Sequence, residues 1–182
     1  TIRPDTATGT NIQAQHLRAD GLSYDWHRCH AHLQHLYLVS GHATLHKHTA
    51  PKEHRIPLER LPLSLTISSI KLSHVGASYS DTTAQLQGRA EAITIQGVQA
   101  DTAINLSLQV ANISEGELIF QSSRFATHCS QLNLQTESLR YNPTTLEGEL
   151  TQLSVNESHG MNIHQGMCSF VWCEGMLRLS HL

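Results

Sequence analysis

The sequence predicts an all-β chain, an elongated antiparallel or mixed sheet curled lengthwise into a taco-like groove, with a β-sandwich or a β-solenoid as the alternatives. Three observations carry this expectation. From Asn11 onward apolar residues recur with a period of two, the spacing at which side chains return to the same face of a strand. The runs end at turn-forming residues (Gly76, Gly88, Gly97, Asn112, Asn142-Pro143, Gly160 and Gly175) at spacings of about 8–12 residues. Helix signals are poor, since no capping pattern precedes an i, i+3, i+4 apolar series. A short stretch near Ile56–Leu61 comes nearest, and Pro57 and Pro62 keep it short.

Along the chain, Leu61, Leu63, Leu65 and Ile67 alternate with Pro62, Ser64 and Thr66. Ile104, Leu106, Leu108 and Val110 do the same with Asn105, Ser107 and Gln109 between them. Leu132 and Leu134, Leu139 and Tyr141, Leu150, Phe170 and Trp172, and Leu177 and Leu179 complete the series. One apolar and one polar face means that each strand buries a single side. Several runs carry a step of three between aliphatic pairs, as in Leu65-x-Ile67-x-x-Ile70-x-Leu72 and Leu150-x-x-Leu153-x-Val155. Such a step reads as two half-strands joined by a bulge or bend that keeps the same face inward. Its recurrence suggests units stacked along an axis, each covering its neighbour's open side.

Of the 182 residues 39% are apolar and only 5% aromatic, which suits a thin or open core better than a compact one. The 12 basic and 15 acidic residues are spread without blocks, giving a net charge of −3. No basic stripe offers itself to nucleic acid or to an anionic membrane surface. No run of 18 apolar residues is present to span a bilayer. Thr1 opens a polar stretch and Leu182 closes within a strand pattern, so residues 1–182 are expected to form one repetitive β segment of a longer chain. Cys29, Cys129, Cys168 and Cys173 form no CxxC pair, and buried free thiols are the expectation, with one or two disulfides as the alternative. Five residues separate Cys168 from Cys173, placing them on opposite faces of a straight strand.

Two stretches resemble a known family. The segment from Leu153 through Glu157-Ser158-His159-Gly160 to Leu182 is similar to a recurring phrase of the TamB/AsmA-like envelope proteins, particularly those of the Bacteroidetes type. The segment Leu61–Val75 followed by Tyr79 resembles the phrase that opens many repeats of that family. Richness in His and the four Cys depart from the family pattern. The resemblance implies a long sheet folded into a groove with an apolar interior, in the periplasm, on a parent anchored in the inner membrane. It also implies lipid acyl chains as partners, phospholipid transport between membranes, and a part in outer-membrane assembly, with a barrel assembly protein engaged through the parent chain. A groove suits acyl chains, because each buried methylene is worth about 0.8 kcal/mol.

The expected lining of that groove is Leu63, Leu65, Ile67, Ile104, Leu106, Leu108, Leu132, Leu134, Ile163 and Leu177. Eight of the 14 histidines fall between His27 and His54, and the pairs His30 and His32, and His46 and His48, could each offer two imidazoles to a metal. Their alternation with Ala31, Leu33, Ala43 and Leu45 reads instead as an ordinary polar face, so no metal or other cofactor is expected. Gly-x-Ser-x-Gly, HExxH, a P-loop and Gly-x-Gly-x-x-Gly are all absent, and no enzymatic activity is expected. Glu115 with Glu117, and Glu147 with Glu149, read as solubilising pairs, and Asp5, Asp20, Asp25, Asp81 and Asp101 as turn or strand-end residues. Trp26 and Trp172, with Tyr24, Tyr37, Phe120, Phe125 and Phe170, read as core plugs or, in a groove, some of them as residues that line it or close its ends. Two rival functions are a scaffold that captures a client strand on the edges near Asn11–Leu17 or Leu177–Leu182, and a structural spacer with a closed, dry core.

Overall fold

The computed structural model describes residues 9–46, 63–173 and 175–181. They form β1 (Gly9–Asp25), β2 (His30–His46), β3 (Ser64–Ser80), β4 (Ala84–Ala100), β5 (Leu106–Ser122), β6 (Ala126–Tyr141), β7 (Thr145–Glu157), β8 (Asn162–Cys173) and β9 (Met176–Ser180). The strands hydrogen-bond in chain order as one nine-stranded sheet. Every neighbouring pair is antiparallel except β2 and β3, which run parallel. Each strand contacts only its neighbours in sequence, so β1 and β9 are edges and the curled sheet does not close into a barrel. This is the elongated mixed sheet that the alternation predicts. Among the described residues no helix is long and apolar enough to cross a membrane. The Ile56–Leu61 stretch lies outside the described residues.

The strands are longer than the spacing of turn residues suggests: β1 to β5 have 17 residues each. Gly76, Gly88, Gly97 and Asn112 lie inside strands rather than at their ends. Acidic and amide side chains make three of the reversals instead. The Asp81 carboxylate accepts bonds from the Thr83 N–H (2.7 Å), the Thr83 hydroxyl (2.8 Å), the Ala84 N–H (2.8 Å) and the Tyr79 hydroxyl (3.0 Å). The Thr83 N–H foremost holds this carboxyl well below the usual carboxylate range. Asp101 is held down in the same way by the side-chain amide and the N–H of Asn105, and Asn142 caps the β6–β7 turn through Thr144 and Thr145. Asp25, Asp81 and Asp101 thus stand where turn residues are expected. Asp20 sits inside β1, 2.8 Å from Arg18, and Asp5 lies outside the described residues.

Two lines of bends run across the strands. One passes through Gln15, Ser40, His74, Glu91, Glu115 and Gln131, the other through Gly21, Gln34, Ser68, Gly97, Gln109 and Ser138. Left-handed backbone marks both: Ser40, His74, Glu115 and Gln131 at φ of 51–54° on the first, Gly21 (70°), Gly97 (65°) and Ser138 (52°) on the second. The parallel strands β2 and β3, with β5, bend on the first line. The oppositely directed β1 and β4 bend on the second, and β6 bends on both. On each line the pleat shifts by one position, at a left-handed residue in one strand and at the extended residue facing it in the next. The inward side chains of β2 therefore run Ala31, Leu33, then Leu36, Leu38, then Gly41, Ala43. This is the step of three seen in the sequence, and it folds each long strand into three facets with one continuous inner face.

Apolar rungs cross that face. One is Leu22–Leu33–Ile67–Val98–Leu108–Leu139, another Leu17–Leu38–Leu72–Ile93–Ile113–Leu134–Leu153. Leu33, Ile67 and Val98 form the packed centre of one end, with Leu36, Leu65, Ile70, Ile95, Leu106 and Leu108 against them. No described side chain is fully buried, as expected of a single sheet folded over itself rather than two sheets face to face. Trp26, Phe125 and Trp172 are exposed rather than core plugs, while Phe120 and Phe170 are half-buried. Trp26 is 81% exposed in the β1–β2 turn and Phe125 is 54% exposed in the β5–β6 turn, at opposite ends of the strands.

Candidate functional site

The inner face differs between its two ends. Beyond the first line of bends its rungs carry Gly and Ala where the other end carries Leu and Ile: Ala14–Gly41–Val75–Ala90–Gly116–Leu132 and Ile12–Ala43–Ala77–Gly88–Leu118. Side chains this small leave the curled sheet unfilled. The resulting cavity, about 380 Å³, is walled by Ile12, Leu38, Leu72, Ile93, Ile113 and Leu118 over a floor of Gly41, Ala43, Ala77, Gly88 and Ala90. Gln13, His42, Arg89 and Glu117 are the polar members of its lining. Its volume falls in the range of small-ligand sites, about 300–1,000 Å³.

The residues expected to line a groove fall into four groups. Leu65, Ile67, Leu106 and Leu108 face inward but pack against one another in the filled end. Leu132 and Leu134 face inward on the Ala90 and Ile93 rungs, and Leu132 reaches the cavity. Ile163 pairs with Val155, and Leu177 pairs with Trp172 on the exposed edge strand β9, while Leu63 is half-buried just before β3. Ile104 is the exception, lying in the β4–β5 turn at a φ of 63°, held by its N–H on the Asp101 carbonyl at 3.2 Å. Its apparent alternation with Leu106 therefore crosses a turn. Val110 leaves the inner face too, because the bend at Gln109 moves the inward position to Ala111. All six wall residues lie outside the expected set, because the period breaks beside them in sequence: at the bend residues Ser40, His74, Glu91 and Glu115 next to Leu38, Leu72, Ile93 and Ile113, and at Ala14 and Gly116 next to Ile12 and Leu118.

The outer face is polar. His30 and His32 share it, and the His30 ring bonds to the hydroxyls of Ser64 (2.8 Å) and Thr66 (3.2 Å) on β3. His46 bonds to Ser80 in the same way, and His48 lies outside the described residues. Among the described residues no three His, Cys, Asp or Glu side chains are placed to share a metal ion. His74 pairs with Glu91 at 2.6 Å and His128 with Glu117 at 2.7 Å. Cys129, Cys168 and Cys173 are half-buried and Cys29 is exposed, and none of the four is bonded to another. Cys168 faces inward opposite Leu150 while Cys173 points outward, as their spacing requires.

At the cavity end of the sheet Glu157 continues the rung of Leu118 and Cys129. Its carboxyl is lowered to about 2, first by the hydroxyl of Thr127 and then by the side chain and N–H of His159. Phe125 stacks on the His159 ring with centroids 5.9 Å apart. Comparison with family models, with characterised proteins and with solved structures found no match for this chain.

Proposed function

We propose that this chain is a non-enzymatic hydrophobic-groove segment of a TamB/AsmA-like envelope protein, which holds lipid acyl chains as they pass between membranes. The observation that carries the proposal is the open, unfilled inner face. Apolar rungs continue from strand to strand, and the Gly- and Ala-lined part of them leaves a cavity of about 380 Å³ instead of a packed core. A spacer with a dry interior would fill that space, since voids of this kind weaken a core. Eight strand spacings of about 4.8 Å make the groove about 38 Å long, more than the roughly 15 Å that one leaflet of hydrocarbon spans. In this reading the periplasm is the compartment, the tail lies on the inner face and the head group stays in water at the open side. Contact with an outer-membrane barrel assembly protein belongs to the parent chain.

Native mass spectrometry of the purified chain, with lipid extraction from the same sample, tests this. The expected result is co-purifying phospholipid that is lost when Leu106 and Leu134 are both changed to Asp in a protein that still folds. A lipid-free mass that also fails to take up added fatty acid or phospholipid overturns it and favours a scaffold that engages strands along its free edges.

A further inference from the structure

The two edges of the sheet are unlike. The β9 edge is blunt, five residues long and paired only with Ser169–Cys173. A strand this short is a common device against unwanted pairing. The β1 edge has no such device: it is 17 residues long and contains no proline. Among the described residues nothing covers its outer side, and Ile12, Leu17 and Leu22 stand 56%, 66% and 74% exposed at the ends of the inner rungs.

We propose that this edge is the interface with a second copy of the chain, β1 pairing antiparallel with β1 about a twofold axis at Arg18. One register satisfies the geometry. The bend positions of β1 are Gln15 and Gly21, and two copies bring both bend lines into alignment only when residue 15 of one faces residue 21 of the other. In that register Ile12 faces Tyr24, Ala14 faces Leu22 and Leu17 faces Ala19, so inward residues meet inward residues on every rung.

Three further features suit it. In the regular antiparallel pairs β1–β2, β3–β4 and β4–β5, each bend line holds one left-handed residue facing one extended residue. Gly21 opposite Gln15 of the second copy repeats that rule on both lines. Secondly, Gly21 and Gly97 are each overlain by a glutamine from the adjacent strand: Gln34 and Gln109 lie where a Cβ would come within 2.5 Å. With Gln34 over Gly21, Gln15 of the second copy approaches from the other side, where Ser68 stands beside Gly97. Thirdly, on the outer face His16 meets Asp20 of the second copy, twice. Arg18, which faces its own counterpart across the axis, is already paired with Asp20 at 2.8 Å. The result is a sheet of twice the strands with one continuous inner face. It needs no lipid, so its test is independent of the groove reading.

Size-exclusion chromatography with light scattering on the 182-residue chain, without added lipid, is expected to give twice the chain mass. The variant R18C is expected to form a disulfide joining position 18 of both copies, because directly opposed residues sit about 4.5–5.5 Å apart at Cα, within disulfide reach. Q13C is expected not to link to itself but to link to S23C in a mixture. L17D and, separately, D20R are expected to return the mass to that of the monomer with the circular dichroism unchanged, as Leu17 is exposed and Asp20 only half-buried in one copy. A monomer mass for the unaltered chain overturns the proposal, as do open-ended oligomers that survive L17D or position-13 links as abundant as position-18 links.

Discussion

Glu157 is the ionisable group whose surroundings most clearly tie the fold to pH through a long-range contact. Its carboxyl accepts from Thr127 on β6 and from the His159 ring (2.5 Å) and N–H (2.8 Å), so it fastens the end of β7 to its neighbour strand and to the turn beyond. These donors favour the charged form and lower its pKa to about 2 from an ordinary 4.5. The folded chain thus binds fewer protons than the unfolded chain between those two values. The stability this carboxylate contributes is complete above about pH 4.5 and is lost as pH falls towards 2. E157Q should lower the thermal midpoint at pH 7 and flatten its fall between pH 4.5 and 2. Equal slopes for the two proteins would show that Glu157 is not the group responsible. The turn carboxylates were legible in sequence as turn residues. The Glu157 contacts were not, because Thr127 and Glu157 are 30 positions apart and only the strand register brings them together.

At the scale of one strand, the bends decide how much the sequence could show. The step of three was visible, because hydrophobic burial fixes which residues must face inward whatever the backbone does between them. The bends themselves were not. Left-handed backbone here falls on Ser, His, Glu and Gln as well as Gly, and no local preference marks those residues for it. For the same reason Gly76 and Gly88 read as strand ends though the chain runs straight through them. The parallel pairing of β2 with β3 had no signature either, since a strand's own pattern is the same in both orientations. The bends give a paired prediction. Gly97, at 65°, carries no Cβ to strain, and G97A should cost about 1–2 kcal/mol in urea unfolding. Ser138, on the same line at 52°, is exposed and bonds to nothing among the described residues, so S138G should gain up to about 1 kcal/mol. Changes of the same sign in both variants would mean that the line is not held by left-handed residues.

Among the described residues the sheet is nearly one-dimensional, each strand supported only by its sequence neighbours, and none of them forms a second layer over the inner face. That absence makes the cavity a matter of side-chain size alone, and a single substitution can close it. Gly88, on β4 between Ala77 and Leu118, points into the space: a Cβ there would meet only Leu118 at 3.7 Å and the Glu117 carbonyl at 3.9 Å, both ordinary contacts. Its φ lies outside the left-handed region, so a larger residue brings no backbone strain. G88F should therefore fold, and the ring, taken out of water among Leu72, Ile93 and Ile113, should raise stability by up to about 1.5–3 kcal/mol. If acyl chains occupy this cavity, the same ring takes their place, and uptake of a fluorescent fatty acid should weaken at least about tenfold, a loss of about 1.4 kcal/mol in binding. A dry cavity and an occupied one thus respond alike in stability and differently in uptake. A stabilised variant that binds fatty acid as well as the parent would place any acyl site elsewhere on the inner face, whereas a stabilised variant that no longer binds it would put the ligand among these residues.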